Sequence, residues 1–161
     1  DQNRPSFRSF YFNVDSARYF YPASTIKLPM VLLALEKINR LEIPGLTEHS
    51  IMLHDSVYRG QWPAHADTTS ANGLPSIDHY AKKILVVSDN DASNRLYEFV
   101  GQQAVHESLN GRGYTSRLLH RLERPLTPDE NRHTEAVRFL DAGGEEIYKQ
   151  PMLVNPGSIQ P

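Results

Sequence analysis

The sequence predicts an α+β chain, and three observations carry that expectation. A long apolar stretch, residues 20–41, reads as one helix, and further helical stretches follow at 76–87, through the 90s to Gly101, and at 102–109. Aromatic-rich runs at 7–13 and 17–21 flank a Val-Asp-Ser break and read as a β-hairpin. A second hairpin is expected from 137–140 and 145–149, joined by Asp-Ala-Gly-Gly. The expected organisation is one domain over 1–161, with sheet strands at 1–21, a helical subdomain with its loops at 22–131, and a hairpin with an extended tail at 132–161.

In order along the chain, the first hairpin delivers its second strand to Pro22 and the helix of 20–41. Met30, Val31, Leu32, Leu33, Leu35, Ile38 and Leu41 leave that helix little polar surface, so it is expected to be buried nearly all round. Pro29 removes one backbone donor, which predicts a kink or irregular first turns. Residues 42–69 are rich in Pro, Gly, His and Asp without sustained periodicity and read as loop with short pieces of structure. Ser76 is the expected N-cap of the second helix, whose stripe is Ile77, Tyr80, Ala81, Ile84, Leu85 and Val87. A polar break, 88–94, precedes the third helix, and Gly101 suits its C-terminus. Residues 118–131 hold Pro125, Pro128 and many charges and read as a surface loop, and the tail from 150 to 161 has three prolines and should be extended.

Composition narrows the function classes. Hydrophobic content of 39% and charged content of 22% describe a globular chain long enough for a real core. A net charge of −2 gives no reason to expect a nucleic-acid partner. No run approaches the roughly 20 apolar residues of a membrane span. Without cysteine there is no disulfide or thiol chemistry within the chain. His49, His54 and His65 lie in one loop-like stretch, but no His-Glu-x-x-His pattern accompanies them, so neither a metal nor a cofactor is expected. Tyr58 and Trp62 either edge a substrate cleft or cover core. Composition leaves the oligomeric state open.

The chemistry concentrates at two places. Ser24 and Lys27 stand at i and i+3, which on a helix puts a hydroxyl and an amine on one face. Burial and a helix N-terminus both lower the pKa of a lysine, so such a pair is a nucleophile beside a base. The same residues also read as an N-cap and a solvated first-turn lysine. Ser88-Asp89-Asn90 is the second place. As a bland feature it is a helix-capping loop; as a functional one, Ser88 relays a proton near Lys27 and Asn90 holds a substrate amide by its donor and its acceptor.

Together these residues resemble the serine β-lactamases and penicillin-binding transpeptidases, the class A-like ones in particular. Pro22-x-Ser24-Thr25-x-Lys27 resembles the context of that family's nucleophile. Ser88-Asp89-Asn90-x-Ala92-x-Asn94 resembles its second element, and Arg121-x-Glu123-x-x-Leu126 its omega loop. The resemblance runs from about residue 7 to residue 127. It implies a β-lactamase/transpeptidase-like fold and a serine hydrolase acting through an acyl-enzyme on a β-lactam or a peptidoglycan-type amide. Ser24 would be the nucleophile, its N–H an oxyanion donor, and Lys27 the base. Ser88 would protonate the leaving nitrogen. Asn90, with Tyr58 at the cleft edge, would bind substrate, and Asn94 would brace the omega loop.

Glu123 reads either as the carboxylate that orients the deacylating water or as a surface carboxylate. Pro125 comes one place later than the family's proline, and Thr127 stands where an Asn normally helps hold the water. The third element, Lys-Thr-Gly, is absent: lysines 27, 37, 82, 83 and 149 have no such continuation. The expectation is a chain cut before the strands that carry that element, acylating poorly or not at all by itself and exposing apolar surface where those strands would pack. The alternatives are a penicillin-binding D-Ala-D-Ala peptidase-like protein that deacylates slowly, or a non-catalytic binding domain of the same fold. The resemblance implies an extracytoplasmic, bacterial setting.

Overall fold

Helix α1, Lys27–Arg40, buries Met30, Val31, Leu33, Ala34 and Ile38, a stripe at the three-to-four-residue helical spacing. A computed structural model describes residues 5–15, 17–18, 21–114, 118 and 121–155. The helix is not buried all round, as its composition suggested, because Leu28 and Leu32 face outward. Nor does it start at residue 20. Ala23–Ile26 is a separate 3-10 turn, and the α-helix begins at Lys27. Pro29, two positions in, cannot donate to the carbonyl four residues back, which favours the tighter winding before it.

Helix α2, Ile77–Val87, is capped as expected: the Ser76 side chain accepts from the His79 N–H at 3.1 Å. Helix α3, Asn90–Val100, is the centre of the molecule, with every residue from Ala92 to Val100 buried. It packs on α1, on α2 and on α4, Gln102–Gly111. Gly101 joins α3 to α4 at φ +90°, a conformation that favours glycine, and a Cβ there would also lie 2.9 Å from Leu153 Cδ1 and push that side chain aside. A short helix α5, Pro128–Arg132, stands inside the expected surface loop. It is nucleated by a capping box in which Thr127 and Glu130 satisfy each other's backbone N–H.

Strands β1 (Ile51–Asp55), β2 (Ala136–Leu140) and β3 (Glu146–Gln150) form one antiparallel sheet in that order. The β2–β3 hairpin is the one the sequence predicts. Strand β1 falls in the stretch read as loop with short pieces of structure, where the sequence places no strand. Met52, Leu53 and His54 are buried in succession, so the strand lacks the polar/apolar alternation that marks a half-buried one. Its outer edge is covered at His54 by Ala64, the two exchanging backbone hydrogen bonds at 3.1 and 2.9 Å. The sheet joins the helices through Met52, Val137 and Phe139, whose ring meets Phe99 of α3 edge-on at 5.1 Å.

Among the described residues the expected N-terminal hairpin is absent. Residues 7–13 have no strand, and Phe7, Phe10, Tyr11 and Phe12 are exposed. Of the second run, 17 and 18 lie in a turn or bend, and residues 19 and 20 fall outside the described residues. A two-stranded hairpin is marginal alone, and 7–13 pairs with no described strand. In the tail, residues 151–155 form no helix or strand beyond the bridge of Val154 to His133, and 156–161 fall outside the described residues.

Candidate active site

Lys27 is the point where the two sequence motifs meet. Its side chain is buried, and its amine donates to the Ser88 carbonyl and to Ser88 Oγ, the latter at 3.0 Å. The fold produces this contact by packing the first turn of α1 against the α2–α3 junction. Ser88 ends α2 in the left-handed region at φ +57°, and Asp89 immediately caps α3, its Oδ1 accepting from the Ala92 N–H at 2.8 Å. The polar break is therefore only two residues long. Helix α3 starts at Asn90, five residues earlier than a break through Asn94 would allow, because Asp89 is a strong cap.

Ser24 sits in the 3-10 turn, one turn before Lys27, with its side chain exposed. Among the described residues its hydroxyl has no hydrogen-bond partner, Lys27 included. Ala23 precedes it at φ +46°. A left-handed alanine costs about 1–2 kcal/mol, so the turn that presents the serine is held by its surroundings. The half-buried Asn90 side chain is likewise uncommitted among the described residues.

Glu123 is reached through Asn94. The Asn94 side chain clamps the backbone of Leu122 at both polar groups: Nδ2 donates to the carbonyl at 2.9 Å, and Oδ1 accepts from the N–H at 2.7 Å. Asn94 lies one turn along α3 from Asn90, so this clamp ties the loop to the same end of the helix as the Ser-Asp-Asn turn. Glu123 follows at φ +54°, exposed and without a side-chain partner among the described residues. Asn94 thus braces the loop as its motif position implies. Thr127, by contrast, is consumed by the capping box, its hydroxyl donating to Glu130 Oε2 at 2.8 Å and accepting from the Glu130 N–H at 3.2 Å.

Tyr58 stands elsewhere in the contact pattern. Its hydroxyl donates to Asp129 Oδ2 at 2.6 Å, and its ring stacks on His133 at 3.8 Å, so the hydroxyl and one face are already engaged. Trp62 is the aromatic presented to solvent. Its backbone is fixed from both sides, the N–H donating to Glu135 Oε1 at 2.9 Å and the carbonyl accepting from Arg95 at 2.6 Å. Arg124, next to Glu123, stacks on its ring at 4.0 Å.

Beneath these groups lies a buried ionic network that no local pattern announces. Arg95 and Glu98 of α3 pair with Glu135 and Arg121, each at 2.5 Å. The Glu135 N–H donates to Glu98 Oε2 at 2.9 Å, and Arg121 donates to the His133 carbonyl at 2.6 Å. His54 of β1 places Nδ1 3.2 Å from Glu135 Oε2. Complete burial pushes the His54 imidazole down to about 4, and burial likewise raises the Glu98 carboxyl. Donor atoms of His54, Glu98 and Glu135 lie within 4.8 Å of one another, a spacing a metal could use. Both carboxylates are already neutralised by guanidinium groups, and a divalent cation would bring two further charges against Arg95 and Arg121. The donor set does not suit one.

Among the described residues no helix is long and apolar enough to cross a membrane. No curated protein matches the chain. A family model described as the beta-lactamase enzyme family matches residues 7–146, which includes both motif regions, the omega-like loop and the sheet as far as the start of β3. With the match covering most of its length, the chain belongs to the beta-lactamase enzyme family.

Proposed function

We propose that the protein is a serine acyl-transfer hydrolase that opens a β-lactam, or cleaves a related cell-wall amide, through an ester on Ser24. The observation that carries this reading is the contact of the buried Lys27 amine with the Ser88 hydroxyl at 3.0 Å, one turn from an exposed serine that has no partner among the described residues. Ser24 Oγ bonds to the substrate carbonyl carbon while Lys27 Nζ takes its proton, and the Ser24 N–H faces the oxyanion. The proton passes through Ser88 Oγ to the departing nitrogen, the C–N bond breaks, and an ester remains. Water oriented by Glu123 then adds to the ester. Its proton passes through Glu123 to Ser24 Oγ, and the carboxylic acid leaves. Asn90 holds the substrate's side-chain amide, and Tyr58 contributes its remaining ring edge to the cleft. No cofactor is required. A cell-wall substrate places the protein outside the cytoplasm, where fractionation of the native host would find it.

One observation favours a second reading. Thr127 spends its hydroxyl proton on Glu130, so it cannot donate to the hydrolytic water, and this favours a penicillin-binding, slowly deacylating protein. Intact mass of the full-length protein after brief exposure to benzylpenicillin separates the readings. A penicilloyl increment on Ser24 that decays is expected for a β-lactamase, and a lasting one for a peptidase-like protein. No increment, with Ser24→Ala losing no biological activity, would leave a binding domain of the same fold.

A further inference from the structure

Lys83 of α2 is a cation that the proposed mechanism does not use, and it sits at the base of the catalytic turn. Its amine lies 3.0 Å from Asp67 Oδ2 and 3.4 Å from Asp89 Oδ2. The other oxygen of Asp89 caps α3 at Ala92. Asp67 is itself fixed: its Oδ1 accepts from the Thr69 N–H at 3.0 Å and from the Thr69 hydroxyl at 2.5 Å, and His79 Nε2 stands 3.3 Å from Oδ2. The Lys83 carbonyl also accepts from the Asp89 N–H at 3.4 Å, so one residue grips Asp89 by backbone and by side chain. Directly before Asp89 is Ser88, held at φ +57°, a conformation that an L-residue keeps only when its neighbours impose it.

We propose that Lys83 is a positioning residue for the proton relay, acting through Asp89 to hold Ser88 with its carbonyl and hydroxyl on Lys27. The proposal rests on the reading of Ser88 as the relay. The geometry supplies the lever. Asp89 is the only residue between Ser88 and the rigid start of α3, and its carboxylate divides between the helix cap and Lys83. Removing the cation frees Asp89 Oδ2 beside Asp67, and two carboxylates then face each other without the charge that joined them. Asp89 shifts, and Ser88 moves relative to Lys27. The nucleophile is untouched, because Ser24 and Lys27 lie on a different element.

The test compares Lys83→Met, Lys83→Arg and Lys82→Met in the full-length protein. Lys82 is the control: it is adjacent on α2, exposed, and paired at 2.6 Å with Asp78, away from the turn. Acylation by benzylpenicillin is followed by stopped-flow mass analysis, which separates the binding constant from the acylation rate constant. Lys83→Met is expected to slow the acylation step by about 10- to 100-fold with binding unchanged. Lys83→Arg restores most of the rate, and Lys82→Met behaves as the parent. A second readout does not depend on the β-lactam: the Ala92 amide, capped by Asp89, should lose hydrogen-exchange protection in Lys83→Met and keep it in Lys82→Met. A parent protein that is never acylated overturns the hydrolase reading, and the exchange result then decides the Lys83 link by itself. A Lys83→Met protein that acylates at the parent rate, or that keeps Ala92 protection, overturns the positioning role. So does a rate loss equal to that of Lys82→Met.

Discussion

Asn94→Ala should loosen the loop that carries Glu123 without unfolding the helices beneath it. The parent side chain is buried on α3 and makes both hydrogen bonds available to the Leu122 backbone, at 2.9 and 2.7 Å. Each such bond contributes about 0.5–1.5 kcal/mol net, so deleting both costs about 2 kcal/mol. Leu122 is half-buried, and water reaches its freed groups well enough to keep the cost from rising further. The neighbouring anchor, Arg121 paired with Glu98, stays in place and confines the change to the loop. Urea unfolding gives the stability loss, and hydrogen exchange at the Leu122 amide reports the clamp directly. A loss below about 0.5 kcal/mol with unchanged Leu122 protection would refute the clamp as the loop's tether.

Four further outcomes are expected. Glu98→Gln leaves the Arg121 guanidinium buried without its charge partner and should cost about 3–5 kcal/mol by urea unfolding. His54 is held neutral in the folded state, its pKa near 4 against the ordinary 6.5, so the unfolded chain binds the extra proton between those values. Stability relative to His54→Leu should therefore fall as pH drops from 7 towards 4, by up to about 3 kcal/mol, with Glu98, Glu135, Arg95, Asp91 and Asp55 common to both proteins. A gap independent of pH would contradict the buried neutral imidazole. Glu123→Gln should prolong the penicilloyl adduct without slowing its formation, as read by intact mass over time. Lys37 of α1 caps the end of α3 through the Phe99 and Val100 carbonyls and meets Gln150 Oε1 of β3 at 2.6 Å; Lys37→Met should cost about 1–2 kcal/mol in thermal unfolding.

What could be read from the sequence was local. Ser76 as a cap, Gly101 as a helix end and the 137–149 hairpin each depend on a few adjacent residues, and each is present in the fold. Thr127-Pro128-Asp129-Glu130 is just as local, a capping box with proline at the first helical position, yet two prolines and a run of charge made it read as loop. Strand β1 and the N-terminal runs failed for a different reason. Strands are fixed by partners far along the chain: β1 pairs with residues 136–140, and the 7–13 run has no described partner. The site divides the same way. Ser24, Lys27, Ser88 and Asn90 stand in short local motifs and Asn94 enters through the family resemblance, whereas the support under them, Arg95 with Glu135 and Glu98 with Arg121, joins residues 40 and 23 positions apart.

Helix α3 explains why that support was invisible. Ser93, Asn94, Arg95 and Glu98 are residue types that ordinarily face water. Instead all four are buried. The polar face is used to hold a loop: Asn94 takes Leu122, Glu98 takes Arg121, and Arg95 takes Glu135 and the Trp62 carbonyl. Apolar contacts are non-directional and would let the loop slide, whereas hydrogen bonds and ion pairs fix it at named atoms. This arrangement holds Leu122 and Glu123 at one place on α3 while leaving the Glu123 side chain unbonded among the described residues. It also predicts that changes to this face act on the loop and its carboxylate first, and on the apolar core of α1, α2 and Phe139 much less.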